Sequence, residues 1–172
     1  MTVLRTERLV LRPVTTADVE PLVEINADTE VMRYIGNGSP RTLAETRTAV
    51  EKMTRHWDEQ GWGPFVVGLA GTGEPIGLAI LAVPGFLPEI LPAVEVGWRI
   101  GRNRWGRGYA PEAAAAVIRF AFEELGMERL VSCVHRDNTA SVRVTEKLGM
   151  SLERETTVPD LEVPVKVYEL RA

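Results

Sequence analysis

The chain has 172 residues, 45% of them hydrophobic and 26% charged, and a net charge of −4. That length and apolar content suit one domain with an ordinary core and exclude wholesale disorder, while the slightly acidic balance lacks the basic face that non-specific nucleic-acid binding needs. One cysteine, Cys133, and two histidines, His56 and His135, exclude an intramolecular disulfide and a Cys/His zinc site, so no metal is expected.

The first residues, MTVLRTERLVLRP, carry charge at Arg5, Glu7 and Arg8 and lack a signal-peptide apolar core. No run approaches the roughly 18 apolar residues of a membrane helix, and a cytoplasmic protein with no membrane partner is expected. Arg8–Val14 alternates with period two and predicts a strand. A helix follows, with Thr16 or Asp18 as its cap and Val19, Leu22, Val23 and Ile25 as apolar positions. After the break at Asn37–Pro40, a longer polar helix is predicted from Thr42 to about Gln60, with Ala49, Met53 and Trp57 at helical spacing. Two apolar runs joined by GTGE then predict a hairpin, because glycine supplies the positive φ of a tight turn. Ala93–Ile100 is a further strand.

The next stretch, NRWGRGYAPEAAAAVIRFAFEELG, holds Gly-x-Gly among arginines and opens directly into a helix ended by Gly126. Ala114, Val117, Ile118, Ala121, Phe122 and Leu125 form its apolar face, and the run Ala113–Ala116 lets something pack close to its backbone. First-turn N–H groups lack helical partners and point outward, which suits an anion. Gly106 and Gly108 let the preceding loop turn more N–H groups the same way, and Arg102, Arg104 and Arg107 add full charges. By itself the stretch fits a pyrophosphate cradle and a surface turn with solvated arginines equally. No GK[ST] follows, so it is not a P-loop, and no third glycine stands in register for a dinucleotide fingerprint.

Arg129–His135 is a short strand. NTASVRVTEKLGM is a short helix with Asn138 as cap and Gly149 as terminator. Two strands around PDLE close the chain. The order β-α-α-β-β-β-α-β-α-β-β over residues 1–172 predicts a single α/β (mixed α+β) domain. Its central sheet is mostly antiparallel, with about seven strands and about four helices, and locally parallel around the alanine-rich helix.

WGRGYAPEAAAAVIRFAFEELGMERL followed by NTASVRVTEKLGM resembles the core of the GNAT acetyltransferase superfamily, and TERLVLRPVTTADVEPL resembles the opening of its RimJ/RimL-like branch. The resemblance spans nearly the whole chain. It implies a sheet whose middle strands splay apart and acetyl-CoA as co-substrate. The pyrophosphate would lie on Arg104, Trp105, Gly106, Arg107, Gly108, Tyr109 and Ala110. The pantetheine arm would run along Trp98, Arg99 and Ile100 towards Asn138 and Ser141. Trp105 stands where the wider superfamily has arginine or glutamine, as is usual in this branch.

The implied reaction is acetylation of a primary amine, on a protein N-terminus or a small molecule. The amine must be neutral to attack: at pH 7 about a tenth of an α-amine is neutral, against about 0.04% of a lysine. An α-amine therefore needs only a modest base. Glu95 is the candidate, sharing a strand face with Gly97 and Arg99, and an ordinary Glu95–Arg99 pair on a solvated face stays open beside it. The superfamily's acidic tyrosine is matched by Thr145, which is too weak an acid, so Ser141 is the remaining hydroxyl that could pass a proton to the thiolate. Arg33–Thr42, with Tyr34, Val83–Glu95 and VPDLEVP are expected at the acceptor. Acceptor walls, plain loops and a homodimer contact all remain open for them. A non-catalytic acyl-CoA sensor on the same fold is the alternative function.

Overall fold

A computed structural model describes residues 2–172. Eight strands form one sheet: β1 (Leu4–Arg5), β2 (Leu9–Pro13), β3 (Phe65–Leu69), β4 (Pro75–Ala82), β5 (Glu95–Ile100), β6 (Arg129–His135), β7 (Ser151–Val158) and β8 (Val163–Arg171). Their order is β1-β2-β3-β4-β5-β6-β8-β7, and every pairing is antiparallel except β5 with β6. The helices are α1 (Val19–Ala27), α2 (Thr29–Met32), α3 (Leu43–Gln60), α4 (Tyr109–Arg119) and α5 (Thr139–Lys147). The two additions to the expected count, β1 and α2, are two and four residues long and carry no periodic pattern of their own. Among the described residues no helix is long and apolar enough to cross a membrane.

Strand alternation assigns the faces. Leu9, Leu11, Phe65, Val67, Ala79, Leu81 and Val96 meet the alanine face of α4 on one side. Val66 and Leu78 meet Leu22 of α1 and Val50 of α3 on the other. The alanines at 113, 114 and 116 are buried, so what their small side chains admit close to the helix is the sheet itself. The helix does not run regularly to Gly126. Phe120–Glu124 is a π turn, in which the Leu125 N–H bonds back five residues to Phe120 O at 3.2 Å. The wider turn puts Phe120 in the core, edge-on to Phe65 at 5.6 Å, and leaves Phe122 and Leu125 only partly covered.

Two details of the first helices also differ from expectation. Asp18 caps nothing forward; its carboxylate accepts from the Thr15 N–H at 2.8 Å and is held by Arg12 at 2.6 and 2.9 Å. In α3 the fully buried positions are Thr46 and Val50, with Met53 beside them. Trp57 instead joins the opposite cluster and donates its indole N–H to Pro64 O at 2.6 Å. The start of α3 is fixed by a capping box: Thr42 N–H to Glu45 Oε2 at 2.7 Å, and Glu45 N–H to Thr42 Oγ1 at 3.2 Å.

The parallel pair β5–β6 is the feature that positions a site. It is joined at Glu95↔Val131 only, with the Val131 N–H on Val94 O at 2.9 Å. Beyond that point β5 stays on β4 through Ile100, and β6 turns to β8 through His135. The two strands therefore open into a V whose facing edges lack ladder partners.

Candidate active site

Glu95 stands at the apex of the V. Its Oε1 accepts the Cys133 N–H at 3.2 Å, so the carboxylate occupies the first place where the ladder has failed. Burial pushes its pKa up to about 7, against the opposing pull of the Cys133 N–H and thiol. The same burial, with the carboxylate beside it, pushes the Cys133 thiol well up, and the chain's only cysteine is no nucleophile. Alkylation with iodoacetamide at pH 8 is expected to leave folded Cys133 unmodified over a time that fully labels the denatured chain; equal labelling of both would sink this.

Trp98, Arg99 and Ile100 continue β5, and their side chains part. Trp98 points to the α4 and α5 side, and its indole N–H donates to Ser141 Oγ at 3.2 Å. Asn138 caps α5 by accepting the Ser141 N–H at 3.1 Å, which seats Ser141 at the helix start. Arg99 goes to the opposite face, where its Nη1 donates to Asn26 Oδ1 at 2.7 Å. The Glu95–Arg99 pair considered from sequence is not formed. Thr145 is fully buried and donates its hydroxyl to Val142 O at 2.6 Å, so it has no proton to offer the V. Thr145→Val should leave acetyl-transfer rates within about 2-fold, and a rate assay on the two proteins checks it.

The loop before α4 has both glycines in the left-handed region, Gly106 at φ 71° and Gly108 at φ 78°. Among the described residues no backbone carbonyl accepts the N–H groups of Gly106, Arg107, Gly108, Tyr109 or Ala110. A Cβ built on Gly106 meets nothing within 4 Å. Trp105 is half exposed, and its indole N–H is pinned to Ile100 O at 2.7 Å. Of the arginines expected here, Arg102 and Arg107 are exposed. Arg104 is committed to Glu74 on the β3–β4 turn at 2.7 and 2.8 Å, because the hairpin brings that carboxylate alongside.

A latch that the sequence reading missed holds this loop from outside. Arg8 donates from Nη1 to Arg107 O at 2.8 Å and from Nε to Glu112 Oε2 at 2.7 Å, and its guanidinium lies 4.8 Å from the centre of the Tyr109 ring. Glu112 Oε1 also accepts from Thr6 Oγ1 at 2.6 Å and the Arg8 N–H at 3.1 Å. Glu112 stands in the first turn of α4, where an acid suits the positive helix end, but its partners lie about a hundred residues away, beyond any local signal.

Tyr34, expected at the acceptor, meets His135 with ring centres 4.9 Å apart, at the open end of β6. The Val83–Glu95 connection is anchored to the core by Leu87, Ile90 and Ala93, which are buried against Val131, Val158, Val165 and Val167. Glu89 ties it to β7 by accepting from Arg154 at 3.2 Å and from Thr156. Val83, Phe86 and Leu91 are its exposed large hydrophobic side chains.

A family model described as an acetyltransferase (GNAT) domain matches residues 8–151. An uncharacterized N-acetyltransferase of Bacillus licheniformis, p20, is 30% identical over 165 residues, 94% of this chain and 88% of that protein. The crystal structure of an acetyltransferase from Agrobacterium tumefaciens superposes with a TM-score of 0.84 at 33% identity, covering 100% of this chain and 95% of the other. The structure of RimL, a ribosomal L7/L12 α-N-protein acetyltransferase in complex with coenzyme A, shares the fold: TM-score 0.80, 15% identity, 99% and 98% covered.

Proposed function

The chain belongs to the GNAT acetyltransferase family, and we propose that it transfers the acetyl group of acetyl-CoA to a primary amine in a RimJ/RimL-like manner. The observation that carries this reading is the V between β5 and β6, with a carboxylate of raised pKa at its apex and, in the loop from β5 into α4, five N–H groups without a backbone acceptor. Acetyl-CoA supplies the acyl group as a thioester. The residues fit it: Gly106, Arg107, Gly108, Tyr109 and Ala110 would hold the pyrophosphate on backbone N–H groups, with Arg107 adding charge. Trp98, Ile100, Asn138 and Ser141 would line the pantetheine arm. Arg99 and Arg104 would support the site from outside the cradle, their guanidiniums being turned to Asn26 and Glu74.

Glu95 is the base in this reading. An amine entering beside Tyr34 gives a proton to the Glu95 carboxylate as its nitrogen bonds to the acetyl carbon. Ser141, whose hydroxyl is oriented by Trp98, would pass a solvent proton to the thiolate as the carbon–sulfur bond of the thioester breaks. Transfer is direct within a ternary complex, since the Cys133 thiol is held protonated and offers no acyl-enzyme route. An α-amine, on a peptide N-terminus or a small molecule, suits a base near neutrality better than a lysine does.

Binding is tested by the melting temperature with acetyl-CoA, beside ATP and NAD. At about 100 times Kd the ligand adds about 2.7 kcal/mol, and a chain of this size shifts about 2–4 °C per kcal/mol. A rise of several degrees with acetyl-CoA alone is expected; none, or a larger one with ATP or NAD, overturns the cradle. Burial of Thr145, where the superfamily resemblance implies an acidic tyrosine, favours one second reading, an acyl-CoA sensor without catalysis. Thiol release in the presence of amines separates the two.

A further inference from the structure

Arg99 is only 6% exposed, yet no carboxylate lies within ion-pair distance of it among the described residues. Its one hydrogen-bond acceptor is the neutral Asn26 Oδ1, itself occupied through Nδ2 with Thr46 Oγ1 at 3.2 Å, and its Nε is buried without a partner. The charge that bears on it is a second cation. Arg41, anchored next to Asn26 by its N–H on Asn26 O at 2.8 Å, joins burial in pulling the Arg99 pKa down to about 9. At neutral pH the guanidinium stays charged, so the fold buries a cation beside another cation. One neutral hydrogen bond does not offset that cost, and an apolar side chain of similar size would serve packing better. Arg104 also has an unpartnered Nε, but Glu74 already neutralises it.

Glu95, Gly97 and Arg99 lie in line on one face of β5. A Cβ at Gly97 would touch only Ile80, at 3.6 and 3.8 Å, so the strand face between carboxylate and guanidinium is left low. Positions i and i+4 of a strand are about 13 Å apart. We infer that the acceptor carries an anionic group, a carboxylate in the simplest case, which binds Arg99 and Arg41 while its amine sits at Glu95. This rests on Glu95 marking the amine end, as proposed above. It sets the substrate class: amines with a carboxylate about three peptide units away, such as short peptides with a free C-terminus. Polyamines are disfavoured, because their second cation would face Arg99 and Arg41.

The test is calorimetric binding of di-, tri- and tetraglycine, each as free acid and as C-terminal amide, to protein saturated with CoA. At the best-fitting length the acid should bind at least about 10-fold tighter than the amide, as expected for a charged pair held out of bulk water. The gap should close to about 2-fold or less in Arg99→Met and in Arg41→Met. Arg41 is partly exposed, so its variant keeps the test open if Arg99→Met fails to fold. Equal binding of acid and amide, binding of neither, or a gap that survives in Arg41→Met overturns the inference. Thiol release with the same peptides is read separately. A binding gap without thiol release would remove the transferase reading and leave the anion subsite standing.

Discussion

Glu95→Gln is expected to lower kcat by at least about 100-fold and at the same time to raise the melting temperature at pH 8. The two effects have one cause. A partly buried carboxylate whose pKa rises from 4.5 to about 7 holds its proton more tightly folded than unfolded. Its ionised form therefore opposes folding. The loss begins as pH passes 4.5 and is complete above about 7, reaching at most about 3 kcal/mol. Glutamine keeps an acceptor for the Cys133 N–H without the charge, so the variant should be more stable by several degrees at pH 8 and little different at pH 4. Activity moves the other way, because only the ionised carboxylate can take the amine proton. The wild-type rate should climb through about pH 7, and that limb should vanish in the variant, leaving the limb set by the acceptor amine. A variant that keeps its rate and its limb would falsify the base assignment. A melting temperature that does not rise at pH 8 would mean that water reaches the carboxylate.

The second large effect is expected at Glu112, which touches none of the reacting groups. Glu112→Ala removes an acceptor shared by Thr6 Oγ1, the Arg8 N–H and Arg8 Nε. Burial raises the Glu112 pKa, but the bonds from Thr6 and Arg8 outweigh it and the net shift is downward. Such charge-assisted bonds contribute about 2–3 kcal/mol together once the half-exposed Arg8 is discounted, a fall of about 5–10 °C. Since the folded pKa lies below 4.5, this stability is present above that pH and lost as the carboxylate protonates, so the gap to wild type should narrow in acid. Freed from Glu112, Arg8 also loses its hold on Arg107 O and Tyr109, and the Gly106–Ala110 N–H groups lose their fixed aim. KM for acetyl-CoA should rise about 10-fold with the acceptor KM little changed. Equal rises in both would mean that the latch serves the whole fold and not the loop.

The shape of the loop before α4 was legible because its parts are contiguous. Left-handed glycines, an orphaned first turn and flanking arginines occupy adjacent positions, and each needs only local stereochemistry to be read. The strands and the long helices were legible for the same reason, through periods of two and 3.6. The acid at the V was half legible. Alternation placed Glu95 and Arg99 on one face but left open whether they paired, since pairing depends on what α1 and β6 bring to that face. The structure gives Glu95 to Cys133 and Arg99 to Asn26. The π turn, which exchanges Phe122 for Phe120 in the core, was invisible because a helical period carries no mark where one extra residue enters a turn.

By itself, then, the order of residues determined most of the element types and the glycine-turned entry to α4, which follow from bonds spanning a few positions. Only the tertiary structure decided which arginine is neutralised and which is left bare, and how Thr6 and Arg8 reach Glu112. Those outcomes depend on groups some 30 to 106 residues apart meeting across the sheet, and desolvation there sets the charge of Glu95 and leaves Arg99 uncompensated.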